Sequence, residues 1–263
     1  MVKSNKATLI TGAAGFLGSY HCNTILSMGN TLVMIDKDKK KLLKLYKNLK
    51  KNFKSSNIFL FAANIVNEKK IKDISKKLKK KKIIINSIIN NAAIDATPHK
   101  KNNNPDFVSS KQWRQELDTS LLGSYLIIKH FVKDMCIKRD GKIINIGSDL
   151  SVIAPNQSIY SKGGFKNYIK PATYSVAKHG LLGMTKYFAS LYAEKNVRFN
   201  MVSPGPIFKN QNKKFVNELK KIIPMKRMGS PKDLEEVMKF LLNDNSRYVT
   251  GQNILIDGGR TVI

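Results

Sequence analysis

The chain has 263 residues, 42% of them hydrophobic, which is enough for one large α/β domain with a full core. Its 47 lysines and arginines against 18 aspartates and glutamates give a formal net charge of +29. The first residues lack the apolar core of a secretory signal, and no apolar run approaches the ~20 residues that a membrane span needs. The two cysteines, Cys22 and Cys136, show neither metal-binding spacing nor a disulfide framework. These features argue against secreted and membrane classes and predict a cytoplasmic protein without a metal site.

The lysine excess is concentrated in two clusters, Lys37–Lys54 and Lys69–Lys82. Apolar residues recur in both at the three-to-four spacing of a helix: Leu42, Leu45, Leu49 and Phe53 in the first, and Ile71, Ile74 and Leu78 in the second. This pattern favours the solvated outer faces of two amphipathic helices. Nucleic-acid binding and attraction of anionic substrates are the alternatives, although the clusters lack the interleaved aromatic residues of single-strand binders.

Strand-like and helix-like segments alternate along the whole chain. The predicted strands are Ala7–Thr11, Thr31–Ile35, Ile58–Ala62, Ile83–Asn90, Lys142–Ile146, Val197–Val202 and Asn253–Ile256. The predicted helices are Ser19–Met28, Leu42–Phe53, Ile71–Lys81, Trp113–Ile137, Tyr174–Lys195 and Pro231–Leu242. Two segments, Asp95–Ser110 and Asp149–Thr173, are predicted to be irregular. Because the strands are continuous apolar runs, we expect residues 1–263 to form a single doubly wound, Rossmann-type α/β domain: a parallel sheet with helices on both faces and a ligand crevice at the carboxyl ends of its strands.

The loop after the first predicted strand contains Gly12, Gly15 and Gly18. Glycines at such a turn let the backbone approach a pyrophosphate that rests on the following helix N-terminus. Asp36 ends the next strand, where a carboxylate accepts hydrogen bonds from an adenosine ribose and repels a 2′-phosphate. The sequence therefore predicts a dinucleotide site that prefers NAD to NADP, although the adjacent Lys37 favours the opposite choice.

A tyrosine and a lysine, Tyr174 and Lys178, have the i, i+4 spacing that places two side chains on one helix face. A nearby ammonium group favours the phenolate form of a tyrosine, which makes it a better base. Ser148 follows the fifth predicted strand, where its hydroxyl could hydrogen-bond a substrate carbonyl. Each pattern is common by chance, and their combination indicates a catalytic set.

In order and spacing, these residues resemble the short-chain dehydrogenase/reductase family from Thr11 to Gly259. The further segments that carry the resemblance are Asn90–Ala93, Asn200–Pro206, Met225–Gly229, Thr250–Gln252 and Asp257–Gly259. The resemblance implies a seven-stranded parallel sheet and direct hydride transfer between a nicotinamide and a substrate carbon.

The resemblance also implies roles for individual residues. Tyr174 would exchange the hydroxyl proton, Lys178 would assist it and hold the nicotinamide ribose, and Ser148 would fix the substrate oxygen. The implied cofactor-binding residues are Gly12, Gly15, Phe16, Leu17, Gly18, Asp36, Asn64, Ile65, Asn91, Ala92, Ala93, Tyr174, Lys178, Pro204, Gly205 and Ile207.

Three single positions depart from the family pattern. Phe16 stands where the single-domain branch usually has another glycine, so the motif is similar to that of the extended branch, which includes sugar-nucleotide epimerases. Ser120 replaces an asparagine that supports a water relay to the active-site lysine, and we expect Ser120 to hold that water differently. Asn64 replaces an acidic residue that commonly meets the adenine.

The fourth departure is an insertion of about residues 157–170 between Ser148 and Tyr174, which must border the substrate site. It has two interpretations: a solvated loop that shares the general lysine excess, or a substrate flap whose lysines, Lys162, Lys166 and Lys170, meet an anionic group. The insertion is similar to that of oxidoreductases from flagellin-modification and surface-glycan clusters, which implies a sugar phosphate or sugar nucleotide as substrate.

The resulting hypothesis is an NAD(P)-dependent oxidoreductase that interconverts a secondary alcohol and a ketone on an anionic sugar. The alternatives are a sugar epimerase that retains its NAD and a non-catalytic Rossmann module that binds a ligand or nucleic acid. The resemblance further implies a homodimer or homotetramer formed through the predicted helices Trp113–Ile137 and Tyr174–Lys195.

Overall fold

The computed structural model describes residues 5–94, 108–165 and 168–263. Seven parallel strands form one sheet in the order β3-β2-β1-β4-β5-β6-β7. The strands are β1 (Lys6–Thr11), β2 (Thr31–Asp36), β3 (Ile58–Ala62), β4 (Ile84–Asn90), β5 (Gly141–Ile146), β6 (Val197–Pro204) and β7 (Asn253–Ile256). The predicted Rossmann-type sheet is confirmed, and its strand order reverses between β1 and β4, where this fold opens its ligand crevice.

Helices cover both faces of the sheet. They are α1 (Phe16–Ser27), α2 (Lys39–Asn52), α3 (Glu68–Lys80), α4 (Ser110–Leu117), α5 (Gly123–Lys138), α6 (Ser158–Lys162), α7 (Ala172–Tyr192), α8 (Lys213–Lys221) and α9 (Glu235–Leu242). Within the described residues, none of the helices combines the length and the apolar character that crossing a membrane requires.

Two hydrophobic clusters fill the space between sheet and helices. On one face the buried side chains come from α3, α5 and α7, and on the other from α1, α2 and α9. The two lysine-rich helices take part through their apolar stripes: Leu42 and Leu49 of α2 are buried, as are Ile71, Ile74 and Leu78 of α3. Most of their lysines are exposed, which confirms the predicted amphipathic arrangement.

The predicted helix Trp113–Ile137 is interrupted. Its two α-helical parts, α4 and α5, are joined by a π-helical turn over Asp118–Leu122. Gly123 follows the turn and packs against Ile65, so closely that a Cβ at Gly123 would lie 2.4 Å from Ile65 Cδ1. Such turns often occur at functional sites, and this one contains Ser120.

The segment Asp149–Thr173, predicted to be irregular, contains a 3-10 turn at Asp149–Ser151 and the short helix α6. A further helix, α8, lies in a region for which we predicted no regular structure. Its signals were present in the sequence, because Asn212 caps it by accepting a hydrogen bond from Phe215 N at 2.8 Å. Most of the other segment predicted as irregular, Asp95–Ser110, lies outside the described residues.

Candidate active site

A cavity of about 890 Å³ opens at the carboxyl ends of the central strands. It is lined by Gly12 after β1, Asp36 at the end of β2, Asn91 after β4, Ser148 after β5 and Gly205 after β6. Parallel strands bring these ends to one edge, so residues far apart in sequence meet there. The cavity is therefore the candidate site for both cofactor and substrate.

The glycine loop lies in one wall of this cavity. Gly12 has a φ of +62°, and a Cβ at this position would lie 2.8 Å from Ala92 Cα. Gly18 is buried under the loop, and a Cβ there would lie 2.1 Å from the Gly12 carbonyl oxygen. Only glycine fits both positions. Asn91 holds the loop by donating through Nδ2 to the carbonyl oxygens of Thr11 and Gly12 at 3.1 and 3.0 Å.

Helix α1 begins at Phe16, and its cap residue Gly15 provides no side-chain hydrogen bond. The first backbone N–H groups of the helix are thus without a capping side chain at the point where Gly15, Phe16 and Leu17 line the cavity. This cradle fits the pyrophosphate of a dinucleotide, because N–H groups and the helix dipole both favour a negative charge.

Asp36 lies at the end of the cavity that a cofactor's adenosine would occupy. Its carboxylate accepts hydrogen bonds from Ala14 N and Asp38 N, both at 2.9 Å, so it anchors the glycine loop as well as facing the cavity. Two lysines, Lys37 and Lys41, line the cavity beside it. The structure therefore brings a carboxylate and two ammonium groups, which favour opposite cofactors, to the same place.

The other predicted cofactor residues mostly reach this cavity. Those that line it are Asn64, Ile65, Asn91, Ala92, Ala93, Tyr174, Lys178, Pro204, Gly205 and Ile207. Gly18 lies behind the lining, where it permits the tight turn.

Ser148, Tyr174 and Lys178 line the same cavity. Lys178 is 4% exposed, and its Nζ donates to the carbonyl oxygen of Ile146 at 2.8 Å. The Tyr174 ring lies between two cations, with Lys178 Nζ 5.6 Å and Lys170 Nζ 4.1 Å from its centroid. This places two ammonium groups beside the ring of the candidate proton donor.

Ser120 is buried in the π-helical turn, and it is not among the residues that line the cavity. Its carbonyl oxygen accepts a hydrogen bond from Ser124 Oγ at 2.7 Å. The turn packs against α7 and presents Asp118 and Thr119 to the cavity instead. Neither residue was predicted, because the sequence pattern indicated one uninterrupted α-helix and not a π-helical turn over Asp118–Leu122.

In its described residues the insertion is partly packed against the protein, which argues against a fully solvated loop. Tyr160 and Tyr168 are buried, and they form a third hydrophobic cluster with Leu219, Ile223 and Met228 from α8 and the residues after it. Part of this cluster, together with partly buried residues packed on it, lines the cavity. These lining residues are Ile159, Tyr160, Phe165, Tyr168, Phe215, Leu219 and Met228.

The three lysines of the insertion are placed differently from one another. Lys170 lines the cavity, whereas Lys162 is exposed and is not among the lining residues. Lys166 lies outside the described residues. That Lys162 meets a substrate group stays a prediction, and its side chain lies at the surface of α6 in this structure.

An ion pair that the sequence analysis missed lies beside Ser148. Asp149 and Arg260 are 3% and 7% exposed, contact each other through Oδ2 and Nη1, and both line the cavity. Burial raises the pKa of Asp149, while the charge of Arg260 and three hydrogen bonds oppose this rise. The available signal was weak: a charged residue directly after Ser148 and another directly after Gly259.

Within the described part of the chain, no group of three or more histidine, cysteine, aspartate or glutamate side chains is placed to hold a metal ion. The cysteines, Cys22 and Cys136, are free thiols, the first of them buried.

Comparisons with known proteins agree with this geometry. Residues 12–261 match a family model described as enoyl-(acyl carrier protein) reductase. The chain is 30% identical over 263 residues to the 3-oxoacyl-[acyl-carrier-protein] reductase FabG of Thermotoga maritima, with 98% of each chain covered. It is 25% identical to an NAD-dependent glycerol dehydrogenase of Listeria innocua, with 98% of this chain and 95% of that protein covered.

A solved structure, the short chain dehydrogenase of Leptospira borgpetersenii with bound NAD⁺, superimposes with a TM-score of 0.83 at 31% identity. The match covers 97% of this chain and 92% of that one. The glycine loop, the three residues Ser148, Tyr174 and Lys178 in one cavity, and these full-length similarities lead to one conclusion. The chain belongs to the short-chain dehydrogenase/reductase family of NAD(P)-dependent oxidoreductases.

Proposed function

We propose that this protein interconverts a secondary alcohol and a ketone on an anionic sugar, a sugar phosphate or sugar nucleotide, and that it prefers NAD(H) to NADP(H). The observation that carries the proposal is the shared cavity, in which the uncapped start of α1 faces Ser148, Tyr174 and Lys178. A role in surface-glycan or flagellin modification is the broader setting that the resemblance of the insertion implies.

In this mechanism the nicotinamide, when bound, supplies or accepts a hydride. Tyr174 gives a proton to the substrate oxygen during reduction and takes it during oxidation, and Lys178 and Lys170 stabilise its phenolate form. Ser148 holds the substrate oxygen by a hydrogen bond. Ser120 would hold a water of the relay to Lys178, and the π-helical turn that contains Ser120 packs against α7, which carries Lys178.

An anionic substrate is supported by Lys170. Its ammonium group lines the cavity within 4.1 Å of the centroid of the Tyr174 ring, so it can also reach a phosphate carried near the reacting carbon. The cofactor preference is supported by Asp36, whose carboxylate disfavours a 2′-phosphate.

One second candidate is favoured by a specific observation. The apolar wall formed by the insertion and α8 also suits the chain of a 3-oxoacyl thioester, the substrate type in the name of the Thermotoga maritima relative. In this candidate the same residues reduce a ketone, and Lys170 meets the phosphate of the acyl carrier.

The test begins with calorimetric titration of the protein with NADH and NADPH. Turnover is then measured with fructose 6-phosphate and acetoacetyl-CoA in the presence of the reduced cofactor, and with UDP-glucose, an alcohol, in the presence of the oxidised cofactor. Tighter binding of NADH and turnover of a sugar substrate support the proposal, and turnover of acetoacetyl-CoA alone supports the second candidate. Cofactor that copurifies, with no net change in NADH absorbance, points to an epimerase.

The variant Tyr174→Phe should bind cofactor as the unchanged protein does and lose turnover by about 100-fold or more, because it lacks the proton donor. Unchanged turnover in this variant removes Tyr174 from the mechanism. Binding of neither cofactor contradicts the proposal and favours a non-catalytic module.

We extend the proposal to assembly and location. The exposed apolar residues of neighbouring helices α4, α5 and α7 support a homodimer or homotetramer: Trp113, Tyr125, Val176, Tyr187 and Leu191. Two free thiols suit the reducing environment of the cytoplasm.

A further inference from the structure

The neighbourhood of Ser148 contains a buried pair of opposite charges that the mechanism above does not use. Asp149 directly follows Ser148 in the turn after β5, and Arg260 lies in the 3-10 turn Arg260–Val262 at the carboxyl end of the chain. The two residues are 111 positions apart in sequence and contact each other at the cavity wall. The end of the chain is thus in contact with the catalytic strand end.

Asp149 holds the hydroxyl group of Ser148. Ser148 Oγ donates its hydrogen to Asp149 Oδ1 at 2.8 Å. It also accepts from Leu150 N at 3.2 Å, while the same N–H donates to Asp149 Oδ1 at 2.8 Å. A hydroxyl has one hydrogen and two lone pairs, so Ser148 is left with one lone pair for a substrate.

This arrangement distinguishes the two forms of a substrate. An alcohol can first dock by donating its single hydroxyl hydrogen to the remaining lone pair of Ser148. That hydrogen must turn to Tyr174 before oxidation, and Ser148 then becomes the donor to the substrate oxygen. A ketone oxygen only accepts, so it can bind to Ser148 only when the hydrogen turns away from Asp149. The charge and position of Asp149 therefore decide what Ser148 offers to the substrate.

Arg260 keeps Asp149 in this position. An isolated buried carboxylate is unfavourable and takes up a proton unless a cation or several hydrogen bonds compensate its charge. The buried guanidinium of Arg260 provides that cation through its contact with Oδ2, which leaves Oδ1 for Ser148. Since both charges are nearly inaccessible, loss of either one leaves the other uncompensated.

We propose that Asp149 and Arg260 are positioning residues of the active site, which fix the direction of the Ser148 hydroxyl and make the carboxyl-terminal turn part of the catalytic machinery. The inference rests on the proposed function, because it assumes that Ser148 holds the substrate oxygen. It assigns no substrate contact to either residue.

The test is a double-mutant cycle with Ser148→Ala and Asp149→Asn, measured with NADH and the probes fructose 6-phosphate and acetoacetyl-CoA. In the otherwise unchanged protein, Asp149→Asn should lower kcat about tenfold or more, with the Kd for NADH unchanged. In the Ser148→Ala protein, Asp149→Asn should change kcat less than about twofold, because Asp149 acts through Ser148. A purely structural role predicts the same loss in both backgrounds, and that result overturns the proposal.

Arg260 is tested with three variants and one control. Arg260→Lys retains the cation and should keep most of kcat, whereas Arg260→Met should lower both kcat and the thermal midpoint. Asp149→Asn combined with Arg260→Met removes both charges, so the midpoint should recover while kcat stays low. Recovery of kcat together with the midpoint contradicts a positioning role. Lys79→Met, which breaks the exposed pair with Asp134, removes one charge far from the cavity and should leave kcat unchanged.

The experiments distinguish a failure of the proposed function from a failure of the positioning role. If the unchanged protein turns over neither probe, the proposed function is contradicted and the positioning role falls with it. If it turns over a probe and the cycle is additive, the positioning role alone is overturned.

Discussion

At the scale of single residues, Asp36 does two things at once. It accepts hydrogen bonds from two backbone N–H groups, which fixes the glycine loop, and its charge faces the cavity. A carboxylate at this place repels a 2′-phosphate, while Lys37 and Lys41 attract one. The cofactor preference is therefore a balance of opposing charges within one small region.

We predict that Asp36→Asn shifts the ratio of NADPH to NADH affinity toward NADPH by about tenfold, because loss of a nearby repulsion of about 1.4 kcal/mol corresponds to that factor. Calorimetric titration of both cofactors measures the ratio.

Asp134→Asn serves as the matched control, since it makes the same change of charge at a residue that pairs with Lys79 and does not line this cavity. Its ratio should change less. An equal shift in both variants would mean that the overall field, and not Asp36, sets the preference.

At the scale of elements, the insertion and α8 form one unit. Phe215 of α8 lies 5.4 Å from Tyr160, stacked on it, and 5.4 Å from Phe165 in an edge-on arrangement, measured between ring centroids. This cluster is separate from the two clusters that hold the helices on the sheet. Its contacts can weaken without loss of the main fold.

We predict that Phe215→Ala loosens the insertion while the main fold persists. Tryptic cleavage after Lys162 should become several-fold faster, with only a small change in the thermal midpoint. Limited proteolysis followed by mass spectrometry measures this. Phe240→Ala on α9 is the control and should not change cleavage in the insertion. Unchanged cleavage in Phe215→Ala would show that the insertion is held by other contacts.

A second element-scale feature ties together the amino ends of three neighbouring strands. Asp140, just before β5, contacts Lys6 of β1, Asn86 of β4 and Lys142 of β5 at 2.9, 3.1 and 2.9 Å. Burial tends to raise the pKa of Asp140, but the hydrogen bonds from Lys6, Lys142 and Asn86 outweigh it and lower the pKa to about 2.

The lowered pKa gives a prediction for stability. Asp140 stabilises the folded protein fully above its unfolded pKa of 3.8, and this contribution is lost as pH falls toward about 2. Asp140→Asn should lower the free energy of unfolding by about 1–2 kcal/mol at pH 7 and by much less near pH 2. Urea unfolding at several pH values measures the difference.

Asp134→Asn, which breaks an exposed pair with Lys79, is the control and should lower the free energy of unfolding by under about 1 kcal/mol at pH 7. An Asp140→Asn effect that does not depend on pH would contradict this origin.

At the scale of the whole molecule, several exposed apolar side chains are grouped on three helices. The lysines of α2 and α3 are largely exposed, while apolar side chains are exposed along α4, α5 and α7. Tyr187 and Leu191 of α7 are 65% and 52% exposed on one helix face. Exposed apolar residues grouped in this way mark an association surface more often than isolated ones.

We predict that the protein is a dimer or tetramer and that Leu191→Glu reduces its mass in solution, because a buried charge disfavours an apolar interface. Size-exclusion chromatography with light scattering measures the mass. Tyr248→Glu, at a fully exposed tyrosine outside these helices, should leave the mass unchanged. A monomeric unchanged protein would contradict the prediction.

The parts of the site that the sequence predicted are those with a local cause. Apolar runs identify the strands, and Gly12, Asp36, Ser148 and Tyr174 lie at or near strand and helix ends that such runs define. Their convergence follows from the parallel order of the strands, which places all carboxyl ends at one edge. That residues 1–263 form a single domain stays a prediction.

The sequence by itself thus determined the sheet and the places of the glycine loop and of Ser148, Tyr174 and Lys178 in it, because periodicity and spacing act over a few residues. The tertiary structure alone decided that Asp149 meets Arg260, that the insertion packs on α8, and that Lys170 rather than Lys162 reaches the cavity. These contacts join segments whose local patterns carry no information about each other. Burial then determines how much each contact contributes to stability, since the energy of a charge or an aromatic ring depends on the groups that surround it after folding.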